Sequence, residues 1–257
     1  MALISTQAVY VLWLREMKRT WRAKSRILGS LMMPLFFMLF LGSGFRQAKL
    51  PGIPPGVSYV NFLIPGVVGM TLLFSSTFGG LQVLWDKEFG FLKEIMVTPV
   101  SRLSIVLGRL AGASTLALGQ SLALMLSALP LGFRITSAAG MALALLFMLL
   151  IAFTFIGMGL AFASRMTDVH GFQIIFNFVV FPIFFLSGAL FPVQNLPRLL
   201  RPLSYLDPLT YGVDGLRGAL VGTSSLPLAL DLLVLGAACV GVLVLSSLLF
   251  ETSDVGH

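Results

Sequence analysis

The sequence is poor in charge and nearly devoid of cysteine and histidine. Only 11% of its 257 residues are charged, against roughly a quarter in an ordinary soluble domain, and a globule of this size cannot hide so much apolar surface. The single cysteine, Cys239, excludes an internal disulfide, and His170 and His257 lie far from it in sequence, which argues against a metal cluster. These absences exclude a soluble monomer, a disordered chain and a disulfide scaffold. They indicate a protein whose solvent is largely lipid.

Long uncharged stretches make up most of the chain, which is 57% hydrophobic with a mean hydropathy of +0.97. A membrane-spanning helix needs roughly 20 apolar residues, and a charge near the bilayer centre is costly, so charges should bound the spans. Six stretches qualify: 27–45, 59–84, 110–133, 135–164, 171–191 and 232–250. Period-two alternation is absent, so barrel strands are excluded. We predict an all-α membrane protein, a bundle of six transmembrane helices that forms a single domain over 1–257.

Lysine and arginine are distributed unequally between the two sides of this bundle. The side that holds both termini carries 11 of them and the opposite side carries 6. The positive-inside rule therefore predicts cytoplasmic termini. The net charge of +7 reflects this asymmetry and attraction to anionic lipid rather than nucleic-acid binding, since no soluble basic domain is present.

The N-terminal segment, 1–26, has the pattern of a basic amphipathic helix. On a helix, an apolar stripe is formed by Tyr10, Trp13, Leu14, Met17 and Trp21. The opposite side carries Arg15, Lys18, Arg19, Arg22 and Arg26. We predict an interfacial helix at the cytoplasmic membrane surface, with aromatic rings at headgroup level. The alternative is a plain basic flank of the first span.

The connection 85–102 mixes acids, bases and large apolar residues, where a simple tether would need only a few polar ones. Its pattern predicts a short helix that ends before Pro99, since a proline disfavours helix at the residue that precedes it. Exposed aromatic rings beside charges are typical of a docking surface. A second interfacial helix resting on lipid is the alternative, and composition favours neither.

The connection 192–222, between the fifth and sixth predicted spans, carries several prolines in its first half. Asp207 and Pro208 form a helix start, with an N-cap before a proline at the first helical position. The following residues, 209–220, are largely apolar but too few to cross, and Asp214 and Arg217 can pair on one face. We predict a re-entrant helical hairpin that dips into the outer leaflet, where irregular backbone must be shielded by protein. An ordinary extracellular loop is the alternative.

Small and polar residues within the predicted spans each allow two interpretations. One face of the third span carries small residues, which suit either a dimer contact or packing within one subunit: Gly108, Gly112, Thr115 and Gly119. Amide side chains in or near the spans suit either a pathway or interhelical hydrogen bonds: Asn61, Gln82, Gln120, Gln173 and Asn177.

Three motifs together are specific for one family. Residues 88–102 read EFGFLKEIMVTPVSR, residues 185–197 read FLSGALFPVQNLP, and residues 206–217 read LDPLTYGVDGLR. They resemble the coupling helix, the fifth-span exit and the outer re-entrant helix of the membrane subunit of type-2 ATP-binding-cassette (ABC) exporters. The likeness is greatest to small bacterial permeases of the drug-resistance and nodulation-factor kind. Phe91 departs from the pattern, since many relatives have a small or polar residue there.

This resemblance implies a transporter half-subunit in a prokaryotic inner membrane. Two copies, or one copy and a paralogous permease, would form the pathway for an amphipathic, lipid-linked or drug-like substrate, above two separate ATPase subunits. The implied ATPase-docking residues are Trp85, Glu88, Phe89, Gly90, Phe91, Lys93, Glu94, Pro99 and Arg102. The implied outer re-entrant residues are Asp207, Pro208, Tyr211, Asp214 and Arg217. The implied interfacial residues are Trp13, Arg15, Arg19, Trp21 and Arg22.

The chain is not expected to be the ATPase itself. A P-loop needs Gly-Lys followed by Ser or Thr to cradle phosphate, and no lysine here follows a glycine. We therefore expect no catalytic, cofactor or metal site in this chain, and ATP and Mg on the partner. Two alternatives are a membrane-embedded lipid-modifying enzyme, which needs convergent polar groups in the bundle, and an ion-coupled carrier, which needs a mid-membrane acid. Only Asp214 approaches the latter role.

Overall fold

The computed structural model describes residues 5–45, 51–88, 102–166 and 168–251, and these ranges contain helices and no strand. The helices are α1 (Thr6–Arg22), α2 (Lys24–Gly44), α3 (Tyr59–Glu88), α4 (Arg102–Ala128), α5 (Ala138–Arg165), α6 (Val169–Ile175), α7 (Phe181–Leu186), α8 (Arg201–Ser204), α9 (Pro208–Val221) and α10 (Leu228–Glu251). The all-helical prediction is confirmed over the described part of the chain.

Five helical stretches are long and apolar enough to cross a membrane: Ile27–Gly44, Tyr59–Gln82, Leu107–Leu131, Ala138–Arg165 and Leu228–Leu249. The remaining predicted span, 171–191, is a shorter apolar stretch, Gly171–Leu186. It consists of α6, a π-helical turn over Phe176–Val180, and α7. After α7 the chain turns at Gly188, whose φ of 73° lies in the left-handed region that favours glycine.

Two helices begin earlier than the charge pattern predicted. The third long helix, α4, starts at Arg102 rather than at 110, because its first turns pack on α1 instead of emerging into water. The last, α10, starts at Leu228 rather than at 232 and buries Asp231 completely. Charges mark the ends of spans only where water solvates them, and Asp231 is instead buried against other helices.

Local capping explains where several helices begin and end. Ser5 caps α1 by accepting from the Ala8 N–H, and Ser137 caps α5 by accepting from the Gly140 N–H. The predicted start of α9 at Pro208, with Asp207 as its cap, is confirmed, and α9 ends where Gly222 adopts a φ of 78°.

The centre of the bundle is the pair α3 and α5. In α3 78% of the apolar stretch is buried inside the protein, against 17% in each of the stretches of α2 and α10. A Cβ atom at Gly80 would collide with the backbone of Gly159, so these two glycines permit the close approach of α3 and α5. The outer faces of α2 and α10 consequently display large apolar side chains, including Phe36, Phe40, Leu233 and Val240.

Several of the described connections between helices meet at one end of the bundle. The Asn195 side chain donates to the Pro51 carbonyl, and the Arg134 N–H donates to Asn61. The Thr136 hydroxyl donates to the Leu220 carbonyl at the same end. The helix α5 leaves this end and, at 28 residues and about 1.5 Å per residue, delivers Arg165 to the other.

Candidate transport site

The N-terminal helix α1 packs along the first half of α4. The Ser5 N–H donates to Ser104 Oγ at 2.9 Å, and the Trp13 indole N–H donates to Thr115 Oγ1 at 3.1 Å. A Cβ at Gly108 would lie 2.7 Å from Leu12 Cβ. The small residues of this face therefore serve packing within one subunit, which confirms that alternative for Gly108, Gly112 and Thr115. Gly119 has no atom within 4 Å of a would-be Cβ and takes no part in this packing.

The aromatic residues of the predicted apolar stripe of α1 have different environments, because only some of them pack against α4. Trp13 is half-buried against α4, whereas Trp21 is 77% exposed and Tyr10 is 58% exposed. Of the basic residues, Arg22 is exposed, and Arg15 and Arg19 are half-buried. The helix predicted at the N-terminus is present, and its position at a membrane surface stays a prediction.

The predicted ATPase-docking segment falls largely outside the described residues. Those outside are Phe89, Gly90, Phe91, Lys93, Glu94 and Pro99. Of the others, Trp85 is half-buried in α3, Glu88 is the last residue of α3, and Arg102 is the first of α4. The segment thus joins the ends of two long helices.

The outer connection contains α9, a buried helix of 14 residues packed against α3, α5 and α10. Its first turn holds α8 in place. The Thr210 hydroxyl donates to the Ser204 carbonyl at 2.7 Å, and the Tyr211 hydroxyl donates to the Tyr205 carbonyl at 2.8 Å. Asp207 Oδ1 accepts from the Leu209 N–H at 2.8 Å, next to Pro208 at the first helical position. The helix is too short to cross a membrane, as predicted from its length.

Arg217 and Asp214 lie on one face of α9, but their principal partners are backbone groups. Arg217 is 6% exposed and donates to the carbonyls of Phe62 at 3.3 Å and Gly188 at 3.1 Å, with its Cζ atom 3.7 Å from the centre of the Phe62 ring. The distance between Arg217 Nη1 and Asp214 Oδ1 is 3.8 Å, so the predicted ion pair exists but is the longest of these contacts. Burial lowers the pKa of Arg217 to about 10, against the opposing effect of Asp214, so the guanidinium stays protonated at neutral pH.

Asp214 holds the turn that precedes α10. Its carboxylate accepts from the Ser225 N–H at 2.8 Å and from the Leu226 N–H at 2.8 Å. Asp214 and Arg217 therefore join α9 to three different segments: the turn before α10, the start of α3 and the exit of α7. We call these two residues with Phe62 and Gly188 the outer lock.

Sequence reasoning treated Asp231 as a boundary charge, and the structure places it inside. It is fully buried in the first turn of α10, and neither carboxylate oxygen has a hydrogen-bond partner among the described residues. The sequence carried a weak signal for the earlier helix start, since proline is common at helix N-termini and Pro227 precedes Asp231.

A cavity of about 620 Å³ lies between α2, α3, α4 and the π-helical turn. Three of the amide residues singled out in the sequence line it, namely Gln82, Gln120 and Gln173. The other two do not, since Asn61 accepts from the Arg134 N–H and Asn177 is exposed elsewhere. The aromatic side of the lining consists of Phe74, Phe78, Trp85, Phe176 and Phe181. Spacing alone could not find these rings, because they come from two separate segments of the chain.

In the described part of the chain, three long apolar helices flank the buried pair α3 and α5, and an aromatic cavity lies beside α3. This arrangement is that of a multi-pass membrane protein. A family model described as ABC-2 type transporter matches residues 7–221, which is most of the chain. The chain belongs to the ABC-2 type transporter family. It is a membrane transport component rather than an enzyme.

Similar proteins include nodulation proteins and a protein named as a transport permease. Nodulation protein J of Sinorhizobium fredii is 30% identical over 223 residues, covering 81% of this chain and 81% of that protein. Nodulation protein J of Rhizobium meliloti is 30% identical over 219 residues, covering 84% and 81%. The protein named "Putative transport permease ycf38" of Porphyra purpurea is 26% identical over 212 residues, covering 82% of this chain and 73% of that protein. These relatives confirm the resemblance to type-2 ABC permeases that the motifs indicated.

Proposed function

We propose that this chain is the transmembrane half-subunit of an ATP-driven exporter in a prokaryotic inner membrane. Two copies, or one copy and a paralogous permease, form the pathway for an amphipathic, lipid-linked or drug-like substrate, and two separate ATPase subunits supply ATP and Mg. The observation that carries the proposal is the family match across 7–221, together with apolar helices that surround a cavity.

The connectivity of α3 and α4 supports energy coupling through 85–102. The helix α3 ends at Glu88 and α4 begins at Arg102, so a partner that binds the residues between them contacts the ends of both helices. Both helices also line the cavity, α3 through Phe78 and α4 through Gln120. A displacement at this connection is therefore transmitted to the cavity along two rigid elements.

The arrangement of connections supports six crossings, which place both termini on one side, and the positive-inside rule favours the cytoplasmic side for them. The chain from Val169 to Leu186 starts just after Arg165, at the end of the bundle opposite the outer lock. It finishes just before Gly188, which accepts from Arg217 in that lock. This stretch therefore passes from one end of the bundle to the other despite its short length, and a thinned bilayer or flanking polar residues accommodate such a mismatch.

The decisive experiment is co-expression with a candidate ABC-type ATPase subunit from the same organism, followed by pull-down and ATP hydrolysis in lipid. Phe91→Ala should weaken ATPase binding more than Lys87→Ala, because losing a buried interface aromatic costs on the order of 2 kcal/mol or more, whereas a rim charge mainly affects association rate. Glu94→Lys should uncouple hydrolysis from export. Equal membrane levels of the three variants serve as the control.

Two results would contradict this function. Normal ATPase binding and export by both Phe91→Ala and Glu94→Lys would place the coupling site elsewhere. Substrate movement by the purified chain without any ATPase would favour an ion-coupled carrier instead.

A further inference from the structure

Among the described residues, the cavity between α2, α3, α4 and the π-helical turn has a lining without charge. Its polar side-chain groups are hydroxyls, amides and the indole N–H of Trp85. Transferring an ion into such a site without a counter-charge is strongly unfavourable. A molecule that occupies this cavity is therefore selected for neutrality.

Aromatic rings form one continuous wall of the cavity. The rings of Phe78 and Phe176 have centroids 4.5 Å apart, and those of Phe74 and Phe181 are 5.2 Å apart. Phe74 also lies 5.5 Å from Phe176, which joins the two pairs. Phe78 is 41% exposed, so part of its ring remains available to a ligand. Stacked and edge-to-face ring contacts stabilise a bound aromatic molecule by more than the burial of its apolar surface area alone.

One lining residue, Gln120, carries an acceptor atom without a partner among the described residues. Gln120 Nε2 donates to Ser30 Oγ at 3.0 Å, which fixes the orientation of the amide. Its other atom, Oε1, is buried and has no hydrogen-bond partner among the described residues. A buried acceptor is normally paired, and a rotation of the Gln120 side chain that opens Oε1 to the cavity would let an N–H or O–H group of a bound molecule pair with it.

The π-helical turn, where the helix departs from regular α-helical geometry, contributes a ring to the aromatic wall. Phe176 is the first residue of that turn and is buried, whereas Phe178 in the same turn is 77% exposed. Single π-helical turns inside α-helices are frequent at functional sites. The volume of about 620 Å³ lies within the range of small-molecule pockets.

From these observations we infer that the cavity binds a neutral amphiphile that carries an aromatic ring system and at least one hydrogen-bond donor. The inference rests on the proposed transport function, because it names the class of substrate that this permease would accept. The uncharged lining of the described residues disfavours anionic molecules of the same shape.

Two probes that share one ring skeleton test this charge selection. N-phenyl-1-naphthylamine is neutral and has one N–H donor, and 8-anilinonaphthalene-1-sulfonate adds a sulfonate to the same rings. Full-length protein in lipid nanodiscs, with Trp13 and Trp21 replaced by phenylalanine, leaves Trp85 in the cavity wall as the only energy donor. Saturable energy transfer from Trp85 to the neutral probe, after subtraction of empty nanodiscs, is the expected result. The sulfonated probe should bind at least tenfold more weakly.

Matched variants locate the site. Phe78→Ala and Gln120→Leu should each weaken binding of the neutral probe by about fivefold or more, as expected for one lost ring contact and one lost hydrogen bond. Phe178→Ala removes an equally aromatic side chain that does not line the cavity, and it should leave binding unchanged. Gel filtration of each variant confirms that it is folded.

Three results would overturn the inference: no saturable transfer to the neutral probe, equal binding of the sulfonated probe, or unchanged binding by both Phe78→Ala and Gln120→Leu. Because no ATPase is present in this assay, its failure is separable from failure of the exporter proposal. A chain that binds and stimulates its ATPase but not the probe would retain the exporter function and lose this substrate class.

Discussion

Replacing Arg217 by methionine should destabilise the outer end of the bundle more than neutralising Asp214. The guanidinium makes two buried hydrogen bonds to carbonyls and lies 3.7 Å from the centre of the Phe62 ring. Each buried hydrogen bond to a charged group contributes about 1.5–3 kcal/mol, and a desolvated cation–π contact adds about 2 kcal/mol. Replacement by methionine offsets part of this lost stabilisation, because it also removes the free-energy cost of burying a charge. We expect a net loss of about 3 kcal/mol.

Asp214→Asn should cost less, about 1–2 kcal/mol, because an amide oxygen still accepts from the turn that precedes α10. At roughly 2–4 °C per kcal/mol for a chain of this size, the unfolding midpoint in detergent should fall by about 10 °C for Arg217→Met. For Asp214→Asn we expect about 4 °C on the same basis. Tryptophan fluorescence during a temperature ramp measures both.

Exchanging the two charges distinguishes the outer lock from a simple ion pair. If the 3.8 Å pair carried the stability, the combined Asp214→Arg and Arg217→Asp change would restore what each single reversal removes. The structure predicts no rescue, because the partners of Asp214 are N–H donors and those of Arg217 are carbonyl acceptors. A double variant that melts within about 2 °C of the unmodified protein would refute this reasoning.

Three further predictions concern topology and the N-terminal helix. A cysteine introduced at Ser225 should label from outside intact cells and one at Asp168 should not, and external labelling at Asp168 would overturn the six-span proposal. Gly108→Ala should lower the unfolding midpoint, because its new Cβ would lie 2.7 Å from Leu12 Cβ. Gly119→Ala is the matched control in the same helix, and it should be neutral or stabilising by about 0.5–1 kcal/mol. In a variant that keeps Trp21 as its only tryptophan, lipids brominated near the headgroup should quench the Trp21 fluorescence. Unquenched fluorescence would show that this part of α1 does not lie at the membrane surface.

Composition and charge spacing determined the class of the protein and most of its helices. A chain with 11% charge cannot fold as a soluble globule, and the gaps between charges located all five helices that are long enough to cross. The cap and proline at 207–208 likewise determined where α9 begins, because capping is a contact between neighbours in sequence. Local rules of this kind need no knowledge of the tertiary structure.

Tertiary packing decided where the charged residues at the span boundaries lie and which partners the polar residues have. By the charge rule Asp231 bounds a span, yet it is fully buried, because other helices surround it in place of water. The Asp214 and Arg217 pair follows from i,i+3 spacing, but their strongest bonds reach Ser225, Leu226, Phe62 and Gly188, as far as 155 residues away. No spacing rule contains those partners.

The cavity depends most on the tertiary structure. Its aromatic wall combines rings of α3 with Phe176 in the π-helical turn and Phe181 just after it, and its amides come from three separate helices. The sequence identified three of those amides as polar residues within spans, without distinguishing a lining from an interhelical bond. Gln120 does both, because one end of its amide bonds to Ser30 while the other end is left unpaired beside the cavity. Sequence periodicity sets which face of each helix is polar, and only the packing of several helices decides which faces enclose the same space.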